Sequence, residues 1–173
     1  MSRSTRLAAV GVLASTALLV TGCSLMGGVE PERDEETGEI TEAVEADAFA
    51  IRVGDCLDYS DEAPAEEGAD ELEEVSSVPT VPCGEAHDSE VYASHQLDGD
   101  EYPGDDAIVA SADDMCFADF QPFVGTAYEE STLDFTYLAP TSQSWELGDD
   151  REVLCIVTDP QGGVTGTLEG VQH

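Results

Sequence analysis

The 173-residue chain predicts an α+β domain: a small, mostly antiparallel sheet with one main helix, stapled by two disulfides. Three observations carry this. Several short segments alternate apolar and polar residues with the period of a strand. One longer segment, residues 105–123, repeats its apolar residues at the spacing of a helix. Four cysteines, Cys56, Cys83, Cys116 and Cys155, are spread through a chain that begins with an export signal, and four cysteines in an exported domain point to two disulfides.

The elements follow in order along the chain. Arg3 and Arg6 precede an apolar run over residues 7–20, too short to cross a bilayer, which needs about 20 apolar residues. A charged start, a short apolar core and a small-residue processing site describe a secretory signal over residues 1–22. The site itself, Leu19-Val20-Thr21-Gly22-Cys23, resembles a bacterial lipobox, whose cysteine is acylated and becomes the N-terminus. Two acyl chains, at about 0.8 kcal/mol per buried CH₂, make a stable anchor. The expectation is a lipoprotein held by Cys23 on the outer face of the cytoplasmic membrane.

Residues 23–47 read as a lipidated, acidic, disordered tether. Residues 24–47 carry nine acids against Arg33 and almost no large apolar residue. Fully extended, that segment reaches roughly 80 Å. The folded domain is placed at 48–171. Residues 48–54 look like a short strand entering a turn. Residues 60–77 form a second acidic stretch, read as a surface loop. Residues 78–83 carry Pro79 and Pro82, so they are expected to be extended or edge-like, because proline donates nothing to a sheet ladder.

Residues 89–97 alternate, with Val91, Ala93, His95 and Leu97 on one face. The helix at 105–123 places Ile108, Ala112, Met115, Cys116, Phe120 and Phe123 on one side, and Gly125 ends it. Residues 133–138 and 152–158 read as strands, with one helical turn between them that turns Trp145 to the core. A turn at 160–163 leads to a last short strand at 164–168. Four cysteines allow three connectivities. Our reading pairs Cys56 with Cys83, closing the acidic loop, and Cys116 with Cys155, fastening helix to sheet.

Composition excludes whole classes of function. The chain has no lysine and a net charge of −34, and the signal removes two of its five arginines but no acid. Such a chain repels nucleic acid and anionic headgroups, so no nucleic-acid partner is expected. The acids lack the spaced pattern of a calcium loop, and the cysteines form no C-x-x-C pair, so no metal or other cofactor is expected.

An ordered set of short motifs spans residues 52–170. Val53-Gly-Asp-Cys-Leu57 is followed by Val81-Pro-Cys83 and His87-Asp-Ser-Glu90-Val-Tyr92. Cys116 then stands on a helix with Phe120 and Val124-Gly125. Pro140-Thr, Ser144-Trp145, Gly148-Asp149, Arg151, Cys155 and Leu168 complete the set. Together these resemble the septum formation domain of exported or membrane-anchored actinobacterial proteins. Here a lipid signal replaces a transmembrane segment, and the family's Gly-Asp-Arg is spelled Gly148-Asp149-Asp150-Arg151. The resemblance implies a link to division-septum growth and to envelope or divisome proteins as partners. It carries no catalytic residues over.

Two groups are candidates for binding. His87 and Glu90 form an H-x-x-E pair beside Cys83 that suits a metal or a ligand amine, although a metal site needs three or four ligands. A structural role for both is the stronger reading. Trp145, Asp149 and Arg151, beside Gly148, form the second group, since Trp and Arg dominate binding hot spots. Packing Trp145 into the core is the stronger reading there too, with Arg151 pairing Asp149 or Asp55. No serine sits in a G-x-S-x-G elbow and the domain cysteines are expected to be oxidised, so a non-enzymatic interaction domain is predicted. The alternative is a module for an extracellular ligand or cation.

Overall fold

The computed structural model describes residues 28–60, 72 and 74–172. The signal, Cys23 and most of the acidic loop lie outside the described residues. The strands are β1 (Val44–Asp47), β2 (Cys56–Leu57), β3 (Ser77–Val81), β4 (Ser89–Gln96), β5 (Asp134–Leu138) and β6 (Glu152–Thr158). The helices are α1 (Asp105–Val124) and α2 (Ser142–Gly148). One sheet takes the strands in the order β1-β3-β2-β4-β6-β5, and every neighbouring pair is antiparallel. The α+β reading, with one main helix, is what the structure shows.

The sheet has a core on each face, and β6 feeds both. Val153, Cys155 and Val157 pack with Ala112, Cys116 and Phe120 of α1. Leu154 and Ile156 pack on the opposite face with Ala46, Leu57 and Val78. A strand buried on both sides needs a continuous apolar run, which is why 152–158 is so legible in the sequence. In β4 the partners step from Val91↔Ile156 to Ala93↔Cys155, leaving Tyr92 as an extra residue. That bulge reverses the facing of the strand. Val91 joins one core, while Tyr92 and Ala93 pack against the other. The single face expected for Val91 and Ala93 is therefore split.

Helix α1 buries Ile108, Ala112, Cys116, Phe120 and Val124 at i, i+4 spacing. Asp105 and Asp106 sit in its first turn, where the helix dipole favours negative charge. Gly125, in the left-handed region at φ 86°, ends it by donating its N–H to the Gln121 carbonyl at 2.9 Å. The disulfides are Cys56–Cys83, which closes the segment carrying the acidic loop, and Cys116–Cys155, which joins α1 to β6. Both follow the pairing read from the sequence.

The tether reading fails over residues 28–47, because this segment is folded onto the sheet. Arg33 and Ile40 pair across a turn in which Asp34 Oδ1 accepts from the Glu36 and Thr37 amides and Gly38 takes φ 80°. Ile40 and Ala46 are buried, and β1 pairs with β3. The Arg33 guanidinium grips Asp55 through two bonds of 2.6 and 2.8 Å and donates to the Ala50 carbonyl at 2.9 Å. The folded domain thus begins by Gly28 rather than at residue 48. Dense surface acid concealed a hairpin held by one largely buried arginine side chain.

Three smaller readings change as well. Residues 48–54 hold a single 3₁₀ turn, Ala48–Ala50, because the Asp47 side chain caps it through the Phe49 amide. The segment at 77–81 is extended, as expected, but as strand β3 it is interior, between β1 and β2, and not at an edge. Pro79 is tolerated because its missing N–H points, like its carbonyl, which accepts from Asp58 N, to the position just past the end of the two-residue β2, so the ladder loses no bond within β2. Residues 164–168 form only one bridge, Val164 with His87, since Gly162, Gly163 and Gly166 all adopt positive φ.

Candidate functional site

The predicted site residues fall into two groupings, which share none of the contacts described below. In the first, His87 leaves the Cys83 turn and Glu90 lies on β4; both are buried. His87 pairs through its backbone with Val164, and its Nδ1 donates to the Glu85 carbonyl at 2.9 Å. Its Nε2 is buried without a partner among the described residues. Glu90 accepts from Thr167 Oγ1 at 2.9 and 3.0 Å and from Leu168 N at 2.6 Å. Burial raises the Glu90 carboxyl above its ordinary range, while these hydrogen bonds and nearby His87 pull it down. Both carboxylate oxygens are therefore spent on holding the C-terminal segment, which buries Leu168 against α1. Among the described residues no group of three His, Cys, Asp or Glu is placed to hold a metal.

The second grouping is built by α2. Thr141 and Ser144 form a reciprocal capping box at its start, and Asp149 in the left-handed region ends it at φ 54°. This short, firmly capped helix drives Trp145 inward, where it is 2% exposed. The Trp145 Nε1 donates to the Asp100 carbonyl at 3.3 Å. Arg151 then lies over the indole, its Cζ 3.6 Å from the ring centroid. The same guanidinium donates to the Gly99, Trp145 and Asp150 carbonyls and approaches Asp149 at 3.3 Å. Of the two partners expected for Arg151, Asp149 is found and Asp55 is not, because Arg33 holds it.

The sequence reading missed Tyr102. It meets Trp145 edge-on at 5.7 Å and donates to Asp105 at the start of α1. Its burial and that hydrogen bond push the phenol well above its ordinary range. Tyr102, Trp145, Leu147 and Arg151 thus line an open depression rimmed by Asp100, Glu101, Glu146 and Asp149. Leu147 is 82% exposed there. The 98–104 segment read only as a loop, and the residue i+3 from Tyr102, Asp105, was the available signal that it was tied down. His95, read from the sequence as lying on one face of its strand, bonds Asp119 on α1 at 2.7 Å and stays partly exposed.

Among the described residues no helix is long and apolar enough to cross a membrane. No curated protein and no solved structure matches the chain. A family model described as septum formation matches residues 21–157, a span that includes the folded segment 28–47, β1–β5, both helices and all but the end of β6. On that match the chain belongs to the septum formation family.

Proposed function

We propose that this protein is a lipoprotein anchored through Cys23 on the outer face of the cytoplasmic membrane. Its domain acts without catalysis, as an interaction module for envelope or divisome proteins during septum formation. The observation that carries the septal reading is the family match over residues 21–157. The anchor rests on the signal and lipobox of residues 1–23. The structure adds a spatial consequence. Gly28 N already bonds the Ser76 carbonyl at 3.3 Å, so residues 24–27 alone separate Cys23 from the fold. Five residue steps reach about 18 Å at most. The domain therefore works close to the bilayer, not roughly 80 Å above it.

The test is time-lapse imaging of a C-terminal fluorescent fusion beside its Cys23→Ala form, with mass spectrometry of the N-terminal peptide. An acylated N-terminus and enrichment at forming septa, both lost in Cys23→Ala, are the expected results. Even membrane labelling at every stage of division refutes the septal role. An unmodified Cys23 refutes the anchor.

A further inference from the structure

A cavity of about 260 Å³ opens on the sheet face away from α1. Its apolar wall is Phe49, Leu72, Val75, Leu138 and Leu154. Phe49 is 68% exposed and Val75 42%, so a large part of that wall already faces water. Its polar rim carries Glu74, Asp150 and Glu152. Each of these carboxylates is oriented by uncharged donors: Glu74 by the Thr141 hydroxyl, Asp150 by Ser144 Oγ and Glu152 N, and Glu152 by Ser94 Oγ. Among the described residues no cation pairs with them.

The rest of the chain has none to offer. It contains no lysine, and the three arginines beyond the signal are engaged elsewhere. Arg33 is bound to Asp55, Arg52 lies beside Glu30 and Arg151 over Trp145. Residues 61–74, which precede Val75 in the chain, contain eight acids and no base. An occupant must therefore bring its own positive charge. That disfavours a second copy of this chain and an anionic lipid surface. The volume falls just below the ordinary range for small-molecule sites, about 300–1,000 Å³, but suits one or two large side chains.

We infer that this cleft is a docking site for a segment of a partner protein that presents large apolar side chains flanked by lysine or arginine. The apolar wall supplies the anchor, and the acid rim supplies orientation and a fast, steered encounter. This deepens the interaction-module reading and rests on it, by assigning the module a surface and its partner a chemistry.

The experiment uses the full chain in zwitterionic nanodiscs at about 0.15 M salt, where charges more than about 8 Å apart are largely screened. The probe is a labelled peptide with two phenylalanines between pairs of arginines, followed by fluorescence anisotropy. One control peptide replaces the phenylalanines by serine, and another replaces the arginines by glutamate. The expected result is binding at least tenfold tighter for the probe than for either control, and weakened about fivefold or more by Phe49→Ser and by Glu74→Gln. Phe49 is largely exposed and Glu74→Gln keeps a side-chain carbonyl for the Thr141 hydroxyl, so both variants are expected to fold, and melting curves check it. Equal binding of the serine peptide, or no effect of either substitution, overturns the proposal in favour of general attraction to a polyanion. Self-association that Phe49→Ser abolishes overturns it in favour of a second copy. Peptide binding together with even membrane labelling leaves the cleft standing and removes the septal role. Septal enrichment without peptide binding does the reverse.

Discussion

Substituting Arg33 by Met tests the folded N-terminal segment most directly. The Arg33 side chain is 11% exposed and that of Asp55 4%, so the ion pair is largely removed from water. The substitution deletes two charge-assisted bonds to Asp55, one to the Ala50 carbonyl and one to the Gly38 carbonyl at 3.2 Å. Asp55 then keeps the Arg52 amide, at 2.8 Å, as a donor to its buried carboxylate. Breaking a buried pair by removing one partner costs about 3–5 kcal/mol. The buried Arg33 Nε has no partner among the described residues, and its removal recovers part of that cost. About 3 kcal/mol is therefore the expected loss, or a melting point lowered by about 6–12 °C for a domain of this size. Urea unfolding with the disulfides intact, followed by Trp145 fluorescence, measures it. Hydrogen exchange provides the local readout. The Val29 and Asp47 amides, bonded at 3.0 and 2.9 Å to the Glu45 and Val29 carbonyls, should lose protection before the α1 amides do. A double-mutant cycle with Asp55→Asn should give coupling above about 1.5 kcal/mol. A loss under about 1 kcal/mol with unchanged exchange over 28–47 would refute the latch.

Glu90→Gln reads the other buried carboxylate. Burial raises the folded-state Glu90 above its unfolded value, so the folded protein binds the proton more readily. Ionising Glu90 therefore costs stability as pH rises from the ordinary carboxylate range through the folded value. In that window the stability of Glu90→Gln should fall less, or rise more, with pH than that of the parent; identical slopes would sink the assignment. Replacing Cys116 and Cys155 together by Ala should cost about 2–5 kcal/mol, because α1 loses its covalent tie to β6; denaturant melts of the two proteins decide it. Phe120→Ala removes a fully buried ring in contact with Tyr92, Tyr128 and Phe135, for an expected loss of about 3–5 kcal/mol in the same assay. Arg151→Ala uncovers the chain's one tryptophan and should shift its emission to the red, whereas an unshifted spectrum contradicts the stacking.

The sequence by itself determined the elements whose pattern is local and undiluted. Alternation or unbroken apolarity located β5 and β6, the i, i+4 repeat with Gly125 located α1 to within a residue, and the cysteine framework was read with its pairing. The structural role of His87 was legible because the turn after Cys83 offers a backbone partner, the Glu85 carbonyl, and that of Trp145 because a small domain uses its one tryptophan as core. Tertiary structure alone decided what depends on distant partners. Residues 28–47 are too acidic to signal a fold, and their order comes from Arg33 meeting Asp55, 22 residues away. The Tyr92 bulge, which splits the facing of β4, is set by its register with β6. The 164–168 segment gave up a strand ladder for hydrogen bonds to Glu90, 77 and 78 residues earlier. The apolar cleft is assembled from Phe49, Val75, Leu138 and Leu154, which no local period connects. Local pattern reports the solvent each residue prefers; only the folded chain brings distant charges and side chains within a few ångströms, where desolvation and hydrogen bonding decide their pairing.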